Sequence, residues 1–266
     1  MDMERVSAAL REAAELDILP RFQRLAAGEV MEKRPGDVVT VADIEAERRL
    51  QRILKDIEPE AGFVGEEAAH ADATLHDLLL GEDAFWLVDP VDGTANFAAG
   101  KTPFVVQVAF VRHGRTVAAW ILDPVASEMR VAEEGSGAWA DGTRLQAASA
   151  VPLAEMVGSV NARALGDDLR DRLRSRLDAF GTLVTHRCAG HDFSDMAKGN
   201  KHFSLYRRLW SWDHAPGVLL HREAGGHTAR ADGVTYRPGD RVEALLSAPD
   251  PDSWHAILDR LSRPED

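Results

Sequence analysis

The sequence predicts an α/β fold, with helices and a mostly antiparallel sheet in residues 1–148 and alternating strands and helices in residues 149–266. Closely spaced strand segments joined by turn residues predict the antiparallel sheet of the first half. Strand–helix–strand order from about Val151 predicts the layered second half. A third observation concerns function: the apolar segment 84–88 runs directly into two carboxylates.

The first half begins with helical patterns. Apolar residues recur at helical spacing from Met3 to Leu25, which predicts one or two helices that Pro20 kinks or divides. A further helix is predicted from Ala42 to Ile57, with Thr40 as its N-cap. The strands predicted after this helix are 62–65, 84–88, 104–111, 116–122 and 129–132. We expect Pro90 and Gly93 to end the strand that carries the acids.

The second half alternates between the two kinds of element. Its predicted strands are 157–161, 182–185, 202–206 and 244–247. Its predicted helices are one carrying Leu165, Leu169, Leu173 and Leu177, one starting near His191, one from Trp212 to Gly225 and one over 253–261. This order is typical of stacked α/β layers.

Composition restricts the partners that the chain can have. It holds 31 Lys and Arg against 44 Asp and Glu, a net charge of -13, so we expect no nucleic-acid partner. Cys188 is the only cysteine, which excludes an intrachain disulfide and favours the reducing cytoplasm. No segment approaches the roughly 18 consecutive apolar residues of a membrane span, so no membrane association is expected.

The segment from Asp89 to Gly93 carries the strongest chemical signal. Two acids at the end of a buried strand are costly unless they are paired or coordinate a metal. An EF-hand calcium loop is excluded, because Val91 stands where an oxygen ligand is needed. Carboxylate and carbonyl oxygens suit magnesium, and the lack of thiolate or clustered imidazole ligands argues against structural zinc.

Other polar residues allow simpler interpretations. Asp43 could simply form a capping box with Thr40. Glu66 and Glu67 could lie in a solvated turn, and Asp213 could be an acid in the first turn of a helix, where it faces the helix dipole. His186, His191, His202 and His214 lack metal-ligand spacing on a helix, so we expect surface or hydrogen-bonded histidines. The segment 135–140 loosely fits a dinucleotide fingerprint, but the Asp-Gly pair that follows favours a hairpin.

Taken together, four motifs resemble the inositol monophosphatase family of magnesium-dependent, lithium-sensitive phosphatases. They are Asp37-Val-Val-Thr40-Val-Ala-Asp43, Gly65-Glu66-Glu67, Asp89-Pro-Val-Asp92-Gly93-Thr94-Ala-Asn96-Phe97, and Trp212-Asp213-His-Ala-Pro-Gly217 with Glu223-Ala-Gly-Gly226. Their order and intervals agree from about Val6 to Leu261. The resemblance implies the layered αβαβα sandwich of the sugar phosphatase and fructose-1,6-bisphosphatase type, and a homodimer.

The resemblance also implies a role for each motif. Two or three Mg²⁺ ions would be held by Glu66, Asp89, the Val91 carbonyl, Asp92 and Asp213. Thr94 would hydrogen-bond the attacking water, with Asp43 behind it and Glu66 helping to orient the water. The amides of Gly93 and Thr94 would bind phosphate, as helix N-termini do. The implied reaction is phosphomonoester hydrolysis by direct in-line attack of a metal-activated water.

The substrate is less constrained. Inositol-hydrolysing members carry an acid shortly before the Trp-Asp motif, and none stands at 206–211 here. Arg207 and Arg208 could bind a second anionic group or be surface arginines, while Gly190 and His191 lie in the segment that meets the substrate's alcohol portion. An inositol 1-phosphate-like alcohol is expected, with histidinol phosphate, fructose 1,6-bisphosphate and 3'-phosphoadenosine 5'-phosphate as alternatives. A catalytically retired, metal-binding regulatory protein is the alternative from another class.

Overall fold

The computed structural model describes residues 1–34, 37–72, 74–81, 83–161, 176–207, 209–240 and 244–262. The helices within them are α1 (Met3–Ala13), α2 (Val41–Ile57), α3 (Glu66–Ala71), α4 (Leu75–Leu78), α5 (Thr94–Ala98), α6 (Ala189–Ala197), α7 (Ser211–Glu223) and α8 (Pro251–Ser262). A π-helical turn, Ala14–Ile18, and a 3-10 turn, Leu19–Arg21, extend α1, and a further 3-10 turn is Leu153–Glu155. Among the described residues, no helix combines the length and apolarity that crossing a bilayer requires.

The strands of the described residues form three sheets. They are β1 (Val30–Arg34), β2 (Asp37–Thr40), β3 (Gly62–Gly65), β4 (Phe85–Asp92), β5 (Val105–Arg112), β6 (Arg115–Asp123), β7 (Glu128–Glu133), β8 (Gly137–Ala140), β9 (Thr143–Arg144), β10 (Val157–Asn161), β11 (Thr182–Leu183), β12 (Phe203–Tyr206), β13 (His227–Arg230) and β14 (Leu245–Ala248). The β1–β2 hairpin stands alone, β3 to β9 form a seven-stranded sheet, and the order β11-β10-β12-β14-β13 forms a five-stranded one.

The elements stack in five layers, which confirms the predicted αβαβα sandwich. Helices α1 and α2 pack on one face of the seven-stranded sheet, and α6 and α7 lie between the two large sheets. Helix α8 covers the other face of the five-stranded sheet through Trp254 and Ile257. Only β3 and β4 run parallel in the seven-stranded sheet, as expected for a mostly antiparallel first half.

Strand β4 is buried on both faces, which explains its continuous apolar pattern. Trp86 and Val88 face the core formed with α1 and α2, whereas Phe85 and Leu87 face the core formed with α6 and α7. Alternate residues of a strand point to opposite faces, so both layers are anchored by the same short segment. The strand that leads to the acids is therefore fixed between two cores.

Several boundaries differ from those that the sequence predicts. Strand β4 does not end at Pro90 but continues to Asp92, with a register shift between Asp89 and Asp92. Proline is tolerated in such a bulge because the bulged residue does not have to donate a backbone hydrogen bond to the neighbouring strand. Glu66 and Glu67 begin α3 instead of forming a turn, and the predicted strand 182–185 is reduced to Thr182–Leu183. Leu165, Leu169 and Leu173 of the predicted helix lie outside the described residues.

His221 gives the fold a measurable pH dependence. It lies buried on α7, 3.0 Å from the Thr228 hydroxyl, which in turn donates to Ser247. Burial, with a smaller contribution from His227, lowers the pKa of His221 to about 4. Below pH ~6.5 the unfolded chain takes up a proton at this position that the native state does not, so stability falls as the pH decreases from about 6.5 to about 4.

We expect His221→Asn to reduce this dependence. The asparagine amide keeps a hydrogen-bond donor for Thr228 but does not titrate. The slope of the free energy of unfolding against pH should decrease by up to about 1.4 kcal/mol per pH unit between those pKa values. Urea unfolding of both proteins across this pH range measures the difference. Parallel slopes in the two proteins would contradict a buried, neutral His221.

Candidate metal and phosphate site

The ends of two parallel strands and the start of one helix bring three acids together. Gly65 of β3 pairs with Val88 of β4, so the residues that follow them, Glu66 and Asp89, emerge side by side. Asp213 approaches from the first turn of α7. One carboxylate oxygen of each of these three residues lies within 4.8 Å of the others. The acids that the motifs single out therefore converge, although they are far apart in sequence.

The acids of this cluster repel one another in a buried setting. Burial raises the pKa of Asp89 well above its usual range, and the negative charges of Glu66, Asp92 and Asp213 raise it further. Burial also raises the pKa of Asp92 to about 7, against the opposing effect of the N–H group of Gly190. A hard cation that prefers oxygen ligands would stabilise the charged forms of both Asp89 and Asp92. The donor set therefore fits Mg²⁺.

Asp92 is held from the opposite side by the first turn of α6 and by β5. Its Oδ2 atom accepts hydrogen bonds from the backbone N–H of Gly190 at 2.6 Å and from Nε2 of Gln107 at 3.0 Å. A Cβ atom at Gly190 would lie 2.7 Å from Val105 and Gln107 side-chain atoms, which explains the glycine. Gly190, predicted to contact substrate, thus also orients one of the predicted metal ligands.

Thr94 and Asp43 form a second polar pair beside the acids. The Thr94 hydroxyl lies 3.1 Å from Asp43 Oδ1 and 2.8 Å from the Val91 carbonyl. Asp43 Oδ2 accepts from both the amide and the hydroxyl of Thr40, so the predicted capping box exists and Asp43 also reaches Thr94. Burial raises the pKa of Asp43 to about 7, although the Thr40 hydroxyl opposes the change.

Gly93 turns the chain from β4 into α5. Its φ of +93° lies in the left-handed region, and a Cβ there would lie 2.9 Å from the Pro103 carbonyl oxygen. Both features favour glycine. The turn places Thr94 at the first position of α5. Gly93 is therefore required by the backbone, whatever its amide binds.

Two charged residues at this site were not predicted from the sequence. Lys33 Nζ lies 3.0 Å from Glu66 Oε1 and 2.8 Å from Glu67 Oε1. Burial by itself lowers the pKa of Lys33, but these two carboxylates raise it above its usual value. The buried Glu47 carboxylate accepts from the amides of Glu67 and Ala68 and fixes the start of α3.

Of Lys33 and Glu47, only Glu47 could have been recognised from the sequence. It stands one helical turn after Asp43, on the apolar face of α2, where an acid is unexpected. Lys33 lies in a polar hairpin that no periodicity distinguishes from a loop. Its partners are brought to it by the fold alone.

The segment predicted to meet the alcohol portion, 188–192, and the predicted anion-binding Arg207 lie in different surroundings. Asp192 is buried and accepts from Tyr206 at 2.8 Å, Ser159 at 3.2 Å, His186 Nδ1 at 3.0 Å and also Lys201. Asp192 is therefore part of an internal network. The His191 side chain is 24% exposed, and Arg207 is half-buried just after β12. Arg208 lies outside the described residues.

Two of the four histidines agree with expectation, and the other two form a contact that the sequence does not predict. His202 accepts from the Val157 amide and His214 is buried, as hydrogen-bonded residues would be. His186 and His191, however, lie with ring centroids 4.7 Å apart. The sequence interval hides this contact, because His186 precedes α6 and His191 lies within its first turn.

Five stacked layers with a carboxylate cluster between strand ends and a helix start define the sugar phosphatase class of α/β proteins. Within that class the chain belongs to the inositol monophosphatase family, whose model matches residues 2–258. An inositol-1-monophosphatase of Rhizobium meliloti is 33% identical over 207 residues, covering 76% of this chain and 75% of the relative. The Nus factor SuhB of Pseudomonas aeruginosa is 33% identical over 226 residues, covering 82% and 81%.

A solved structure supports the same fold over the whole chain. The extragenic suppressor protein SuhB from Bartonella henselae superimposes with a TM-score of 0.86 at 24% identity, covering 99% of both chains. Family membership and the curated relatives indicate a phosphatase of this superfamily. The fold class and the family that the motifs predict are thus confirmed.

Proposed function

We propose that this chain is a magnesium-dependent phosphomonoesterase that acts on a small phosphorylated alcohol of the inositol 1-phosphate kind. The observation that carries the proposal is the convergence of the Glu66, Asp89 and Asp213 carboxylates within 4.8 Å of one another. The adjacent pair of Thr94 and Asp43 supports it, because a site that only stores a metal has no need of a hydroxyl aligned on a buried acid.

The proposed ligands are Glu66, Asp89, Asp92, Asp213 and the Val91 carbonyl. When bound, Mg²⁺ would neutralise phosphate charge and lower the pKa of a water molecule that it coordinates. The Val91 carbonyl oxygen accepts from Thr94 and keeps a second lone pair for a ligand role. Lys33 supplies a further positive charge beside Glu66, where it can also attract a phosphate group.

Thr94 positions the attacking water in this proposal. Its hydroxyl has one proton, which it donates as a hydrogen bond to Asp43 or the Val91 carbonyl, so its oxygen lone pairs remain to accept a hydrogen bond from the attacking water. Asp43 is a positioning residue, since its other oxygen is already bound by Thr40. Attack by water in line with the leaving alcohol needs no protein nucleophile.

The preference for a small alcohol rests on the residues near the predicted substrate loop. Asp192 is engaged with Lys201, Tyr206, Ser159 and His186, so its carboxylate is not available to bind a charged group on the substrate. Histidinol phosphate, fructose 1,6-bisphosphate and 3'-phosphoadenosine 5'-phosphate remain the alternative substrates. A retired, purely regulatory role is disfavoured by the intact Thr94–Asp43 pair.

Phosphate release from a panel of phosphorylated alcohols, sugars and nucleotides, with and without Mg²⁺, tests the proposal. We expect turnover of at least one monophosphorylated small alcohol, and only in the presence of the metal. Hydrolysis confined to bisphosphates would reject the monophosphate assignment. No hydrolysis by a folded protein whose melting temperature still rises with Mg²⁺ would favour the regulatory alternative.

A further inference from the structure

A second group of metal-ligand atoms lies outside the carboxylate cluster, at the start of α6. One ring nitrogen of His186, one of His191 and a carboxylate oxygen of Asp195 lie within 4.8 Å of one another. The His191 Nε2 atom is 3.6 Å from Asp195 Oδ2, and the His186 Nδ1 atom is 3.9 Å from the same oxygen. We propose that His186, His191 and Asp195 form a site for a Zn²⁺-class transition-metal ion, separate from the magnesium site.

The observed separations are close to those that such an ion requires. Ligands bound tetrahedrally at about 2.0–2.1 Å lie roughly 3.3 Å from one another. The two separations to Asp195 Oδ2, 3.6 and 3.9 Å, exceed this by about 0.3 and 0.6 Å. Rotation of partly exposed side chains can close such a gap, because all three are between 22% and 26% exposed. The same exposure gives an ion access from solvent.

The donor set selects the kind of metal. Two imidazoles with one carboxylate suit zinc and its neighbours Co²⁺ and Ni²⁺, whereas magnesium prefers oxygen ligands throughout. Burial, together with the nearby charges of His186 and Arg130, lowers the pKa of His191 despite the opposing Asp195 carboxylate. The neutral ring needed for coordination is therefore the form favoured near pH 7. Three protein ligands would leave a fourth position open.

The charges around His186, His191 and Asp195 are also compatible with a bound cation. Lys201 lies 3.4 Å from His186 Nδ1, but it is paired with Asp192. The Asp192 carboxylate offsets the Lys201 ammonium, and the Arg130 guanidinium that acts on His191 is itself paired with Glu128. The Asp195 carboxylate therefore leaves the site negative while both histidines are neutral. A metal on His186 Nδ1 would replace the hydrogen bond from that ring to Asp192. Asp192 would still accept from Ser159, Tyr206 and Lys201.

Occupancy of this site would fix the start of α6, which borders the magnesium ligands. The His186 carbonyl accepts from Asn96 on α5, and the Gly190 amide donates to Asp92. A metal that joins His186 to His191 and Asp195 would therefore link the segment that precedes α6 to the helix itself. The expected role is to fix the position of the first turn of α6, without contact with the reacting phosphate.

Cobalt binding tests the inference in a background that weakens the carboxylate cluster. In Asp89→Asn protein, Co²⁺ alone should produce the intense visible absorption of tetrahedral nitrogen and oxygen ligation, with one equivalent bound, and Zn²⁺ should displace it. Adding His191→Ala or Asp195→Asn should abolish this absorption and weaken Zn²⁺ binding at least tenfold, as measured with a chromophoric chelator. His255→Ala, an exposed histidine on α8, is the matched control and should retain both signals.

Three results would overturn the inference: no cobalt binding in the Asp89→Asn background, a weak six-coordinate spectrum, or an absorption that survives both His191→Ala and Asp195→Asn. Circular dichroism without metal identifies a variant that does not fold. Asp195→Asn keeps the shape of the side chain and carries the test if His191→Ala fails to fold. Because the readout is cobalt ligation and not hydrolysis, it is independent of the proposed phosphatase activity.

Discussion

Asp89→Asn is expected to abolish magnesium-dependent phosphate release and, at the same time, to make the metal-free protein more stable. Loss of a charged metal ligand should remove about 4 kcal/mol of transition-state stabilisation, roughly a thousandfold in kcat/KM. The asparagine Oδ1 can still accept the 3.0 Å hydrogen bond from the Val91 amide, so the bulge at the end of β4 is retained. The change therefore removes charge with little change of shape.

The gain in stability follows from the pKa of Asp89. At pH 7 the folded protein must either hold a buried anion among other acids or take up a proton that the unfolded chain does not carry. Both cost free energy, and asparagine avoids both, so the free energy of unfolding of the metal-free protein should rise. The difference should shrink as the pH falls towards about 4, where an unfolded aspartate is also protonated. Urea unfolding with and without Mg²⁺ measures this.

Asp17→Asn is the matched control for a buried acid outside the site. Asp17 forms a bidentate ion pair with Arg49, through contacts of 2.5 and 3.0 Å. Its loss should destabilise the protein and leave the stabilisation by Mg²⁺ intact, which is the opposite pattern. An Asp89→Asn protein that hydrolyses substrate with unchanged magnesium dependence would reject the assignment of Asp89 as a ligand.

The layered fold was predictable because each layer leaves a local pattern. The apolar run of β4 indicates burial on both faces, and the alternation after Val151 indicates a second sheet with its own helices. The acids were predictable for the same reason, since a carboxylate at the end of a buried strand needs a partner. Local sequence thus identified Asp89 and Asp92 before any tertiary contact was known.

The remaining features depend on contacts between distant segments. Pro90 suggests the end of a strand, but the neighbouring strand β5 accommodates a bulge and lets β4 continue to Asp92. Lys33 and Glu66 meet only because the β1–β2 hairpin reaches α3. Likewise, the pairing of Asp192 with Lys201 depends on how α6 packs against β12. No periodicity in the sequence encodes these approaches.

Thr94→Val separates the proposed chemistry from metal binding. Valine keeps the branched shape of threonine but removes the hydroxyl that lies 3.1 Å from Asp43 and 2.8 Å from the Val91 carbonyl. We expect kcat to fall by roughly a hundredfold or more, because the attacking water loses the hydrogen-bond acceptor that orients it. The metal ligands are untouched, so Mg²⁺ should still raise the melting temperature as it does in the wild-type protein.

Thr94→Ser supplies the matched control, since it restores the hydroxyl without the methyl group and should recover most of the turnover. The double variant with Asp43→Asn gives a stronger test, because Asp43 is proposed to act only through Thr94. If the two residues work as a unit, the double variant should be little slower than Thr94→Val alone. Rate losses that multiply would instead mean that Asp43 contributes by a separate route. Full turnover by Thr94→Val would show that another group orients the water, and would leave the part-buried Thr94–Asp43 contact with a purely structural role at the start of α5.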